Sequence, residues 1–329
     1  MTQRKQAVAD QIRAFQVSRH DADPALTRIP TPAPAQGEVL IRIHACALNF
    51  ADLLMAKGSY QEKPPLPFTL GMEVAGDVIA LGPDTKGPPV GSRVAVFGGY
   101  GGLAEAGVFA AERAVPLPHD MSYVDAAAFL VAYGTSHVAL THKARLRPGE
   151  TLLVLGAAGG VGLTAVEIGK LMGARVIAVA RGAEKLKVAQ AAGADHLIDA
   201  GDDLRAAVKS LGGADVVYDP VGGALFDAAL RTLNPDGRIL PLGFASGTVP
   251  QIPANILLVK NISVLGLYWG GYAKTNPKVI TDSLSQLFDW YAQGDLKPYV
   301  SHVLELERAA EGLELLRSRT STGKVVITT

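Results

Sequence analysis

At 329 residues, with 48% hydrophobic and 19% charged side chains, the chain is long and apolar enough for two domains with sizeable cores, which excludes a disordered or fibrous protein. Its 31 basic and 31 acidic residues cancel, so composition makes no electrostatic case for nucleic acid or an anionic membrane surface. The single cysteine, Cys46, excludes an internal disulfide and a zinc lobe built on several cysteines. No apolar run reaches the roughly 18 residues of a membrane span, and residues 1–6 lack the apolar core of a secretory signal, so a cytoplasmic location is expected.

Residues 8–17 and 38–45 alternate apolar and polar side chains and predict strands, separated by a proline-rich turn at 29–34. Residues 49–56 predict one or two helical turns ending at Gly58, and 59–67 hold too many prolines for either element. Further strands are expected at 71–80 and 90–97, so the first 120 residues read as a β-rich domain of short strands and tight turns. A helix follows at 125–144. From Thr151 the rhythm changes. Strands at 152–155, 175–180, 196–198, 215–218 and 238–242 alternate with helices at 183–192, 203–211 and 225–233, which predicts a doubly wound parallel sheet with right-handed crossovers. Residues 261–269 predict one more strand near the sheet edge, 277–293 and 307–317 are helical, and 324–328 form a closing strand.

The buried-strand pattern at 151–155 breaks at Gly156, and Gly159, Gly160 and Gly162 follow, with Ala158 and Val161 between them, before a helical pattern over 163–172. Strand, glycine turn and helix in that order suit a dinucleotide pyrophosphate, because bare backbone amides and a helix N-terminus can approach the phosphates. The second strand of such a sheet usually ends in an acid that binds the adenosine ribose. Here it ends in Arg181, with Lys185 one turn on and Glu184 as the first acid, so a 2′-phosphate and hence NADPH is expected. Two solvated surface cations are the alternative. The loop after the fourth strand supplies Tyr218, Asp219 and Val221, and the loop after the fifth supplies Gly243, Phe244 and Ser246. Both fall at carboxyl strand ends, where ligands of open α/β sheets bind. Leu267, Tyr268 and Trp269, at the end of the 261–269 strand, are placed with the cofactor as well.

The segments ALNFAD (47–52), LGMEVAG (70–76), YGT (133–135), GAAGGVG (156–162) and DVVYDPVGG (215–223) together resemble the zinc-independent quinone oxidoreductase branch of the medium-chain dehydrogenase/reductase superfamily. The resemblance spans nearly the whole chain. It implies an α/β protein: a GroES-like catalytic domain over 1–130, completed by 272–329, around a Rossmann domain over 131–271. Zinc-dependent members place a cysteine and a histidine where this chain has Asn49 and Met72, and neither is an ordinary zinc ligand. The resemblance therefore implies metal-free hydride transfer from NADPH to a quinone. Asn49 and Tyr60 would donate to the substrate oxygen, Thr135 would lie near the nicotinamide, and Lys324 is a further candidate near the cofactor. Asn49 as a helix cap, Tyr60 as a packing aromatic, Thr135 as a helix-interior hydroxyl bonding its own backbone and Lys324 as a surface strand charge are the alternatives, the last preferred for Lys324, and Leu54 stands where some relatives carry tyrosine. A reductase of enones or enoyl thioesters, or a non-catalytic crystallin-like cofactor-binding protein, are the competing functions. A homodimer through the 261–269 edge is expected.

Overall fold

A computed structural model describes residues 9–329, so Val8, the expected start of the first strand, lies outside the described residues. The chain divides into two compact units, residues 1–130 with 300–329, and residues 131–299. Strands β1 (Gln11–Val17), β2 (Ala25–Pro30), β3 (Glu38–Ala47), β4 (Phe68–Thr69), β5 (Glu73–Leu81), β6 (Arg93–Phe97), β7 (Ala106–Ala110) and β8 (Ala114–Pro116) open the first unit, with helices α1 (Phe50–Ala56) and α2 (Tyr123–Ala127). The second unit holds most of α3 (Leu130–His137), then β9 (Thr151–Leu155), α4 (Gly160–Leu171), β10 (Arg175–Ala180), α5 (Ala183–Ala191), β11 (His196–Asp199), α6 (Leu204–Ser210), β12 (Ala214–Asp219), α7 (Gly223–Leu230), β13 (Leu233–Pro241), α8 (Ala254–Lys260) and β14 (Ser263–Val264). It ends with α9 (Tyr272–Thr275) and α10 (Pro277–Gln293), after which β15 (Val300–Glu305), α11 (Ala309–Arg317) and β16 (Lys324–Thr328) return to the first unit.

In the first unit a small sheet runs β2-β1-β4, and a larger one runs β15-β16-β3-β5-β6-β8 with β7 also on β3. Alternating side chains of β3, β5 and β6 meet those of β16 and α11 in one core that includes Ile41, Val74, Val94, Leu313 and Ile327. The proline-rich turn expected at 29–34 begins later than read: β2 pairs with β1 as far as Pro30 opposite Gln11. An edge strand tolerates that proline, because the missing amide faces no neighbour.

The second unit is built on a six-stranded parallel sheet in the order β11-β10-β9-β12-β13-β14. Every residue of β9 is buried, which explains its unbroken apolar sequence in place of an alternating one. Three expectations need correction. Residues 125–144 are not one helix: α2 stops at Ala127, and past α3 residues Val138–Lys143 form a π-helix in which Ala144 N reaches back to Ala139 O at 2.8 Å. Of the 261–269 strand, Ser263–Val264 alone pairs with β13, and Trp269 lies buried at the start of a 3₁₀ turn. Residues 272–299 belong with the second unit, because Ser283 and Trp290 of α10 pack on His137.

Candidate functional site

In the first unit the segment after β3 is organised by buried polar groups. Asn49 is extended and precedes α1, and Asp52 Oδ2 accepts from its backbone N–H at 2.8 Å. Asp52 Oδ1 accepts from Gly71 N–H at 3.2 Å. Gly71 has φ +96°, and a Cβ there would stand 2.6 Å from Cys46 Sγ. Burial pushes the Asp52 carboxyl up to about 7 against the pull of these amides and of Lys324. Burial likewise raises the Cys46 thiol, so Cys46 is a small core side chain.

Lys324 opens the apolar strand β16 and is 5% exposed, while Glu73 opens β5 and is fully buried. The Lys324 ammonium donates to Glu73 Oε1 at 2.8 Å, to Asn49 Oδ1 at 2.8 Å and to Leu48 O at 3.0 Å. Asn49 Nδ2 donates to the same Glu73 oxygen at 2.9 Å and to Ala47 O at 3.4 Å. This corrects two expectations. Asn49 spends its amide donors inside the protein, and Lys324 is a buried ion-pair partner whose ammonium is already surrounded by acceptors. Tyr60 is half-buried and packs against the core of this unit, and Leu54 is half-buried as well.

The donor set does not fit zinc. The Met72 thioether is buried, the Asn49 amide is bound to Glu73 and Lys324, and among the described residues no group of three His, Cys, Asp or Glu side chains is placed to hold a metal.

In the second unit Gly156 adopts φ +61°, where a Cβ would meet the Val221 side chain at 3.0 Å. Gly159 N–H donates to Gly156 O at 2.9 Å and Gly159 precedes α4 in extended conformation. A Cβ on Gly162 would lie 2.2 Å from Gly156 O, so only glycine lets the helix start this close to the turn. Ala158 is buried and Val161 half-buried, and the amides of Gly160, Val161 and Gly162 open the helix with no intrahelical acceptor. The loop after β12 is tied to the loop after β13: Ala245 N–H donates to Pro220 O at 3.2 Å and Ser246 N–H to Val221 O at 2.8 Å. A Cβ on Gly243 would meet Pro220 O at 3.2 Å, and Phe244 is exposed at 39%. The structure thus gathers the glycine turn and both loops at one end of the sheet.

Other residues expected here do different work. Asp219 is fully buried, and its carboxylate accepts from Val221 N–H at 2.7 Å and Gly222 N–H at 2.9 Å, so it shapes the loop it begins. Burial raises it to about 6. The Tyr218 ring is buried and its hydroxyl meets Ser136 Oγ at 2.8 Å. Trp269 packs on α3, where a Cβ on Gly134 would stand 2.7 Å from the indole, while Leu267 is half-buried and Tyr268 exposed. Thr135, next in α3, is half-buried and its hydroxyl has no hydrogen bond among the described residues. Arg181 is exposed at the end of β10 and Lys185 half-exposed in α5. Asp199, whose charge Arg181 feels, accepts from Gly201 and Gly182 N–H at 2.8 and 2.7 Å, and these amides hold it below its ordinary range, while Glu184 pairs with Lys187 at 2.8 Å.

Sequence reading missed Ser136 and Thr164. Their hydroxyls meet at 2.8 Å, and Ser136 Oγ donates to Val161 O at 3.0 Å, tying α3, β12 and the first turn of α4 together. A small hydroxyl residue inside an apolar helix carries little signal, because it bonds backbone in most settings.

Residues 35–119 match the alcohol dehydrogenase GroES-like domain, and 160–287 match the zinc-binding dehydrogenase domain. The chain is 42% identical over 299 residues to a quinone oxidoreductase-like protein 2 homolog of Nematostella vectensis, covering 89% of this chain and 82% of the relative. It superposes on the quinone oxidoreductase of Thermus thermophilus, solved alone and with NADPH, at TM-score 0.86 and 33% identity, covering 96% of this chain and 100% of that one. A mycobacterial protein solved with NADPH gives TM-score 0.91 at 30% identity, covering 97% and 100%. The fold and the site define an oxidoreductase of the medium-chain dehydrogenase/reductase superfamily. Within it, the chain belongs to the quinone oxidoreductase branch.

Lys324→Met leaves Glu73 as an uncompensated buried charge, and we expect about 3–5 kcal/mol of lost stability in urea melts. Lys324→Met with Glu73→Gln should recover most of it; a double variant as unstable as the single one would argue against this pairing. The pH response of Asp52 has a defined sign. Its folded pKa is raised from 3.8 to about 7, so its stabilisation is full below pH 3.8 and is lost as pH rises toward 7. Asp52→Asn should flatten that decline, and unchanged slopes of stability against pH in the two proteins would contradict it.

Proposed function

We propose that the chain is an NADPH-dependent oxidoreductase that reduces a quinone without a metal. The reading is carried by the first unit, where Lys324, Glu73 and Asn49 form a closed buried network in place of a metal-binding donor set. The glycine cradle of the second unit fits a dinucleotide, since the contact between Gly162 and Gly156 leaves no room for a side chain. The relative named as a quinone oxidoreductase and the two structures solved with NADPH support the substrate and the cofactor.

When bound, NADPH supplies a hydride. The amides of Gly160, Val161 and Gly162 are assigned to its pyrophosphate, and Arg181 with Lys185 to its 2′-phosphate. Thr135, with its hydroxyl uncommitted, is assigned to the nicotinamide. Tyr60 is assigned to the acceptor oxygen, where a hydrogen bond stabilises charge as it develops. Asn49 positions the Lys324–Glu73 pair, a role its contacts already perform. Without a Lewis acid to polarise a simple ketone, a conjugated acceptor is favoured because delocalisation lowers its demand for charge stabilisation.

We also propose a homodimer. Strand β14 lies at the edge of the parallel sheet, and on the preceding helix α8 Leu258 and Val259 are 79% and 72% exposed. An unpaired edge beside bare apolar side chains fits a second copy of the chain.

Three measurements test these readings. NADPH oxidation should occur with a panel of quinones; tight NADPH binding with turnover of neither quinones nor enones would sink the enzymatic reading. Arg181→Ala should weaken NADPH binding about tenfold or more, as expected for a lost charge-assisted contact, and NADH less than twofold. In sedimentation at micromolar concentration the protein should be a dimer and the Leu258→Asp, Val259→Asp double variant a monomer; a monomeric parent protein would remove the dimer.

A further inference from the structure

The second unit carries a cleft of about 680 Å³ that the chemistry above does not use. One wall is the π-helical segment, with Val138, Thr141 and His142, and the other is α10, with Val279, Ser283 and Trp290. Met172, just past the C-terminus of α4, lines it too. Since α4 has 12 residues, its rise of 1.5 Å per residue sets Met172 roughly 18 Å along the helix from the glycine turn. This is a separate place in the unit.

Its central polar group is His137, which lines the cleft and is 8% exposed. Nδ1 lies 2.9 Å from Ser283 Oγ, and the ring meets Trp290 edge-on with centroids 5.2 Å apart. Nε2 has no hydrogen-bond partner among the described residues. It is not among their sealed, unpartnered atoms either, so it reaches the cleft surface. Burial lowers the imidazole to about 4, which keeps it neutral near pH 7. The charges at the rim are already balanced, since Lys278 and Asp282 pair at 2.7 Å. An ionised ligand would therefore find no counter-charge here.

We infer that this cleft binds a neutral hydroxyaromatic molecule of one to three rings, its hydroxyl on His137 Nε2 and its ring against Trp290, Met172 and Val279. Either tautomer of His137 leaves one hydrogen-bonding position open at Nε2, as donor or acceptor, and a hydroxyl satisfies both. The volume lies within the range of small-molecule sites, and a flat ring matches an indole wall flanked by thioether and aliphatic groups. The inference is independent of the acceptor proposed for the NADPH reaction.

Calorimetry on the full chain tests it with 2-naphthol, 2-methylnaphthalene and naphthalene-2-sulfonate, with and without saturating NADPH. The expected result is one 2-naphthol site per chain, at least tenfold tighter than for the methyl or sulfonate analogue, and unchanged by NADPH. His137→Phe should weaken 2-naphthol at least tenfold and leave NADPH binding within twofold. Should that variant not fold, Val279→Glu, which puts a charge into the cleft, should give the same loss. Equal binding of the methyl analogue, competition by NADPH, or full affinity in a folded variant would each overturn the inference.

Discussion

The contact on which the first unit most depends is the buried pair between Lys324 and Glu73. A charge taken out of water is costly unless it is paired and its remaining valences are filled. Here one ammonium meets a carboxylate, an amide oxygen and a backbone carbonyl, and the same carboxylate oxygen also receives Asn49 Nδ2. The pair joins β16, formed by the last described residues, to β5 and to the entrance of α1. That linkage holds the 47–52 segment in one conformation. It also commits the Asn49 amide and the Glu73 carboxylate to a cation and its partners.

The second unit solves a different problem with different means. A dinucleotide loop must bring backbone close to a ligand, so side chains there are removed: Gly156, Gly159 and Gly162 lie where a Cβ would meet other backbone or Val221. A loop of bare backbone has little to hold it in place. The structure supplies that support from behind, with Ser136 reaching Val161 O, Thr164 and Tyr218 at once, and with Asp219 bonding the amides of the adjoining turn. Buried hydroxyls serve here because they satisfy several partners without the cost of burying charge.

The parallel sheet was legible because strands buried on both faces leave continuous apolar runs, and β10 and α10 fall where periodicity puts them. The 261–269 stretch misled for the same reason: Ile262 and Trp269 are apolar because they are buried, whereas strand pairing stops at Val264. The break of 125–144 into two helices and a π-helix leaves no mark in the apolar pattern of that stretch. In the candidate site the glycines were legible because they mark backbone geometry directly. The roles of Asn49, Asp219, Tyr218 and Lys324 were not, because a polar side chain reads the same whether it meets a ligand or a buried partner. One clue was present. Glu73 and Lys324 each stand as a charge at the first position of a largely apolar strand, and two such charges of opposite sign invite pairing.

Burial also divides the pH response between the units. Asp52 and His137 are both kept neutral by desolvation, yet the same cause gives opposite signs. The folded chain keeps a proton on Asp52 that the unfolded chain releases above 3.8, so this group favours folding less as pH rises toward 7. At His137 the unfolded chain takes up a proton below 6.5 that the folded chain refuses down to about 4, so acidification is what destabilises. In the second unit Asp219, raised to about 6, opposes His137 over much of that window. Among the described residues of the first unit no such counterweight stands beside Asp52, since the ammonium of Lys324 lowers the carboxyl without overcoming its burial. A near-neutral shift in pH therefore acts on the segment around Asn49 more than on the glycine turn.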